Sequence, residues 1–127
     1  MVKFLKTEAQ TFRRVDEIQP GYYSRPLSAT FESIDAIRTG EGGFDELFKM
    51  TVSTEHGIKT KGLENLLPKL TIGKAIRLYF VVPTDVYQTF SSQQKYITAK
   101  GEKAKVVPRW ITENVEQWAL KLDYTSF

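Results

Sequence analysis

The chain has 127 residues, 41% of them hydrophobic and 13% aromatic, and carries a formal charge of +3. That length and composition describe one folded domain able to bury a core, and exclude a disordered segment. The absence of cysteine excludes a disulfide framework and any thiolate zinc site, and a single histidine, His56, excludes a histidine-rich metal centre. The N-terminal residues lack the apolar stretch of a secretory signal and no segment has the length of a membrane span, so no membrane partner is expected, and the lack of cysteine is compatible with an intracellular or nuclear place of work.

Residues 11–18, TFRRVDEI, read as a first strand, followed by a loop with the turn signal Pro20-Gly21. TFESIDAIR then has strand alternation, with Phe31, Ser33, Asp35 and Ile37 on one face and Glu32, Ile34 and Ala36 on the other. The glycines of Thr39–Gly43 make a turn into a second strand, FDELFKMTVS. Its Phe48, Met50 and Val52 are expected on the core side, with Leu47, Lys49, Thr51 and Ser53 opposite, so that the two strands form a hairpin.

After His56-Gly57, which reads as a loop or helix cap, the apolar residues Ile58, Leu63, Leu66, Leu67 and Leu70 recur at helical spacing. AIRLYFVVP, residues 75–83, is a near-continuous apolar run and reads as a buried central strand ended by Pro83. A short helix capped by Thr84, a hairpin around Lys100-Gly101 and a short helix after Pro108 follow. A final strand is expected to turn Trp118, Leu120, Leu122 and Tyr124 inward. This order implies an α/β layer fold with a mixed sheet in a single domain, 1–127.

Familiar chemical motifs are missing: there is no phosphate-cradling G-x-x-x-x-G-K, no G-x-G-x-x-G and no serine on a nucleophile elbow. What remains is built on carboxylates. Asp35 lies on one hairpin strand, Lys49 and Thr51 share a face of the other, and Lys59 opens the next helix. A metal-dependent phosphodiesterase needs oxygen ligands for Mg²⁺ and a lysine to orient water and offset charge on the phosphate. Asp35 and Lys59 suit those two roles if hairpin and helix stand together.

A second feature is electrostatic. Between Gln93 and Arg109 the chain carries Lys95, Lys100, Lys103, Lys105 and Arg109 against Glu102 alone, five minus one, which is more than the whole net charge. Such a segment is either a solvated hairpin or a phosphate-tracking patch, with Tyr96 and Trp110 as stacking groups at its ends.

YYSRPLSATFESIDAI, FKMTVSTEHGIKTKGL, LYFVVP, and KYITAKG through VEQWALKLDY together resemble the C-terminal domain of crinkler-type effector proteins of fungi and oomycetes. They are similar as well to the related retrotransposon hot spot proteins of trypanosomes. The resemblance runs from about Tyr22 to Tyr124 and rests on the order of several short motifs. It implies a restriction-endonuclease-like core of hairpin, helix and buried strand, with an acid on the first hairpin strand. The second strand of that pattern carries an acid or glutamine, any residue, then lysine.

By that resemblance Asp35 is the first acid, Lys49 stands at the second ligand position, Thr51 at the lysine position, and Lys59 is a lysine relocated to the helix. Lys49 breaks the pattern, because a charged ammonium has donors only and cannot ligate a cation. A catalytic site must recruit Glu32, Glu46 or Glu55 instead; Glu46, paired with Asp35 as metal ligand, needs a bulge to turn inward.

Three readings follow. The first in preference is an effector-type, nuclease-like frame with altered or lost catalysis, binding DNA or a host or self protein through Lys49, Lys59 and the basic segment. The second is an active Mg²⁺-dependent DNA nuclease. The third is a protein-interaction or homodimerisation domain.

Overall fold

In the computed structural model, residues 9–27, 34–40, 43–70, 74–91 and 93–122 are described. The chain begins with two short strands, β1 (Ala9–Phe12) and β2 (Tyr23–Pro26), joined through a single 3-10 turn at Val15–Glu17. The hairpin strands β3 (Ala36–Arg38) and β4 (Phe44–Met50) follow. Next come a two-residue strand β5 (Ile58–Lys59), helix α1 (Thr60–Leu66) and the long strand β6 (Ala75–Pro83). The chain continues through helix α2 (Thr84–Tyr87), strand β7 (Tyr96–Ile97), helix α3 (Arg109–Asn114) and strand β8 (Val115–Leu122).

Six strands form one mixed sheet in the order β1-β2-β3-β4-β6-β8, and β5 and β7 form a separate two-stranded sheet. β3 and β4 are antiparallel, whereas β6 runs parallel to β4 on one side and to β8 on the other. The expected α/β class, mixed sheet, hairpin and central strand are all present.

The apolar run at 75–83 is continuous because β6 is buried on both faces. Its Ile76, Leu78, Phe80 and Val82 join Ile37 and Leu47 in the larger cluster, into which α1 inserts Leu63 and Leu66. Its Tyr79 faces the other way, against Phe48 and Ala36, and the Phe48 and Tyr79 rings stack with centroids 5.3 Å apart.

The structure corrects several expected boundaries and faces. The strand expected over residues 11–18 ends at Phe12, where the Glu17 carboxylate accepts the N–H groups of Arg13 and Arg14, each at 2.8 Å, and bends the chain into the turn. β4 stops at Met50, which is 56% exposed, and Val52 is 79% exposed, so neither belongs to the core. Leu47, placed on the polar face by alternation, is fully buried, because an interior strand has no wet face.

Ile58 lies in a strand rather than a helix, since its N–H donates to the Lys95 carbonyl at 2.9 Å. The helix caps fall on prolines: Pro83, not Thr84, precedes α2, and Pro108 precedes α3. Trp118 is 44% exposed, on the outer strand β8. Glu32, with the rest of the hairpin strand before Ile34, and Tyr124 lie outside the described residues.

Two substitutions probe this frame. Leu78→Ala removes a fully buried side chain from the central strand and is expected to cost about 2–5 kcal/mol in urea unfolding. Gly40 has φ +80°, and a Cβ there would lie 2.6 Å from Pro20 Cβ. Gly40→Ala is therefore expected to cost about 1–3 kcal/mol, with strain and clash both against it.

Candidate functional site

Asp35 and Lys49 do come together. Asp35 Oδ1 lies 3.6 Å from Lys49 Nζ, and Asp35 Oδ2 accepts the Met50 N–H at 2.7 Å. The Asp35 N–H donates to the Phe48 carbonyl, also at 2.7 Å. The aspartate thus pins the open end of the β3–β4 hairpin, and both of its carboxylate oxygens face donors of the neighbouring strand. Thr51 does local work: its Oγ1 accepts the Ser53 N–H at 3.1 Å as the chain leaves β4.

Glu46 is on the wrong face to join them. It stands three positions before Lys49 in a regular strand, an odd offset, so it projects from the opposite side of the sheet. No bulge turns it round, because β4 pairs with β6 residue for residue from Phe44 to Met50. Its buried carboxylate accepts from Arg38 through both Nε, at 2.7 Å, and Nη2. Asp45 shares a face with Lys49 but stands four residues away, about 13 Å at 3.3 Å per residue. Fully buried, it is held by Lys74 at 3.6 Å and by the Gly40 N–H. Glu55 is exposed in the loop after β4.

Among the described residues no three histidine or carboxylate side chains converge on one point. Asp35 and Glu46 lie on opposite faces and each already answers a cation, so the expected Asp35–Glu46 pair does not fit Mg²⁺.

On the face that carries Glu46, the strand registers put Arg38 opposite Glu46, Glu46 opposite Arg77, and Arg77 opposite Glu116. This is an alternating charge row across four adjacent strands. Arg77 lies 3.6 Å from Glu116 and places its guanidinium over the Phe44 ring at 3.9 Å and the Trp118 ring at 5.1 Å. The row is structural and was not foreseen; its signal is a lone arginine inside an apolar strand, which needs a partner. His56 is likewise a clasp, its N–H donating to Gln94 Oε1 at 2.7 Å while Nδ1 sits 3.0 Å from the Gly57 carbonyl.

The cations gather elsewhere. The hairpin at 95–105 is defined by Ala104 N–H to Tyr96 O, Thr98 N–H to Glu102 O, and an antiparallel bridge between Ile97 and Lys103. The bridge sets Lys103 opposite Ile97, with Lys95, Lys100 and Lys105 exposed around it. It turns Tyr96 toward the core, where Tyr96 packs against the larger cluster, and leaves Lys95, Lys103 and Lys105 on the outward face.

The small sheet adds a further lysine. β5 and β7 pair in parallel, with buried Ile58 beside Tyr96 on the inner side and Lys59 beside Ile97 on the outer side. Gly57 makes this approach possible, because a Cβ there would lie 2.7 Å from Ile97 Cδ1. Lys59 is thereby held beside the basic hairpin, as its strand partner is Ile97. Lys100 is exposed at the hairpin tip, and exposed Arg109 is paired with Glu113 through a 2.6 Å bond. Trp110 packs against the core, so the expected stacking groups at the ends of the segment, Tyr96 and Trp110, are both turned inward.

No protein-family model, curated protein or solved structure matches the chain.

The two ion pairs differ in worth. Arg38→Met strands the buried Glu46 carboxylate and is expected to cost about 3–5 kcal/mol in denaturant titration. Lys49→Met at the half-exposed pair is expected to cost about 1 kcal/mol or less. Burial also pushes the phenols of Tyr23, Tyr79 and Tyr96 above the ordinary tyrosine range. A pKa higher in the folded than in the unfolded chain gives stability that is complete below about pH 10 and lost as pH rises through the folded value. The urea midpoint is expected to fall above that pH, with tyrosinate absorbance rising as the chain unfolds.

Proposed function

We propose that this chain is a non-catalytic nucleic-acid-binding module that holds phosphates on the lysine face of its small sheet. The observation that carries this reading is the clustering of exposed Lys95, Lys100, Lys103 and Lys105 on one short hairpin, whose strand β7 pairs with the strand that bears Lys59. Lysines crowded on one small surface repel one another, and an anion among them relieves that repulsion. Phosphate binding is the chemistry that such a surface serves.

The engagement of Asp35 by Lys49 and Met50, and of Glu46 by Arg38, supports binding over metal-dependent cleavage. Among the described residues no group of three or more carboxylates or histidines is gathered that could hold the ion.

The test is titration of labelled DNA at several salt concentrations with the wild-type chain and the variant Lys95→Ala/Lys105→Ala. The logarithm of the binding constant is expected to fall linearly with the logarithm of salt, and the double variant to lose about 1.8 of that slope, 0.9 for each phosphate contact. An unchanged slope removes the lysine face from the reading. Plasmid incubated with Mg²⁺ is expected to stay intact; cleavage that disappears in Asp35→Ala restores the catalytic alternative.

A further inference from the structure

Resting on that nucleic-acid reading, we infer that the ligand is a double-stranded nucleic acid gripped by its phosphates alone, without base stacking and without sequence readout. Surfaces that hold single strands combine a cationic track with aromatic side chains on which successive bases lie, each stacked base contributing about 1–3 kcal/mol. The basic segment has the cations and, at its two ends, the aromatics. The fold separates them. Tyr96 points to the inner side of the β5–β7 sheet beside buried Ile58, and Trp110 packs on the same core from α3. What remains exposed on the hairpin is lysine, Ala99, Gly101 and the single acid Glu102, with Val106 just beyond it and no aromatic ring.

The exposed aromatics of the described residues stand on other elements. Tyr87 on α2 and Trp118 on β8 line an open cleft of about 590 Å³. Each ring already carries a protein cation, Lys121 over Tyr87 at 5.9 Å and Arg77 over Trp118 at 5.1 Å.

A surface that offers charge without stacking favours the polymer with the denser charge. A duplex presents one phosphate per about 1.7 Å of axis, and its counterion exponent is about 0.9 per contact against about 0.7 for a single strand. For about four phosphates neutralised, that difference amounts to roughly 0.8 decades of affinity for each tenfold dilution of salt. Lysines contacting phosphate oxygens fix position but carry no sequence information. The face also lacks an element to place in a groove, since β7 is two residues long and its outward side chains are aliphatic or cationic.

The experiment uses the full chain with a labelled DNA duplex, a second duplex of scrambled sequence, and one of the separated strands, between about 50 and about 200 mM salt. The two duplexes are expected to bind within about twofold of each other and about fivefold or more tighter than the single strand. Tryptophan emission is expected to stay unquenched. Equal or tighter binding of the single strand, a tenfold preference between duplexes, or quenching that Trp110→Phe abolishes overturns this inference and leaves nucleic-acid binding standing. Failure of all three nucleic acids to bind at the lowest salt removes both. Circular dichroism of Trp110→Phe separates a local loss from a misfolded variant.

Discussion

The burial of β6 on both faces is the constraint on which the rest of the structure depends. β4 and β8 flank the strand, α1 covers one face, and on the other Tyr79 is enclosed by Phe48, Ala36, Tyr23 and Leu120 of neighbouring strands. The middle of β4, Asp45 to Phe48, inherits the same constraint, since it is buried throughout and pairs with β6 residue for residue. Polar side chains in that zone must therefore find partners within the sheet, because water cannot reach them.

That demand explains where the acids go. Asp45 and Glu46 are adjacent in sequence and buried on opposite faces of the same strand, and each meets a base from a neighbouring segment, Lys74 or Arg38. Arg77 continues the pattern toward β8 and joins Glu46 to Glu116 by register. Asp35, at the end of the hairpin where burial relaxes, meets Lys49. The acids with described side chains in the sheet thus serve its cohesion, and a hard cation would have to displace lysine or arginine from each of them.

A cluster of lysines lies beyond the main sheet, on the hairpin at 95–105. The β5–β7 pairing is only two residues long, yet it fixes the direction of both Tyr96 and Lys59, because partners in a parallel pair share a face. Gly57 and Gly101 make it possible for different reasons. Gly57 gives the room that Ile97 occupies, and Gly101 turns the hairpin at φ +85°. A small sheet packed against a large one thereby exposes lysine on one side while adding apolar surface to the core on the other.

The sequence by itself determined the α/β class, the β3–β4 hairpin, the buried strand at 75–83 and the basic character of residues 93–109, because periodicity and local charge are properties of neighbouring residues. It also read Asp35 and Lys49 as occupants of adjacent strands, since a glycine turn fixes a hairpin's partners. It placed Leu47 on a polar face and Met50 and Val52 in the core, because alternation does not say whether a strand is interior or where its pairing stops. The tertiary structure alone decided that no bulge turns Glu46 toward Asp35, that Tyr96 and Trp110 point inward, and that the strand bearing Lys59 pairs with the hairpin strand at Tyr96–Ile97. Each of those is a matter of which face a residue shares with a partner far along the chain, and strand register, not composition, sets it.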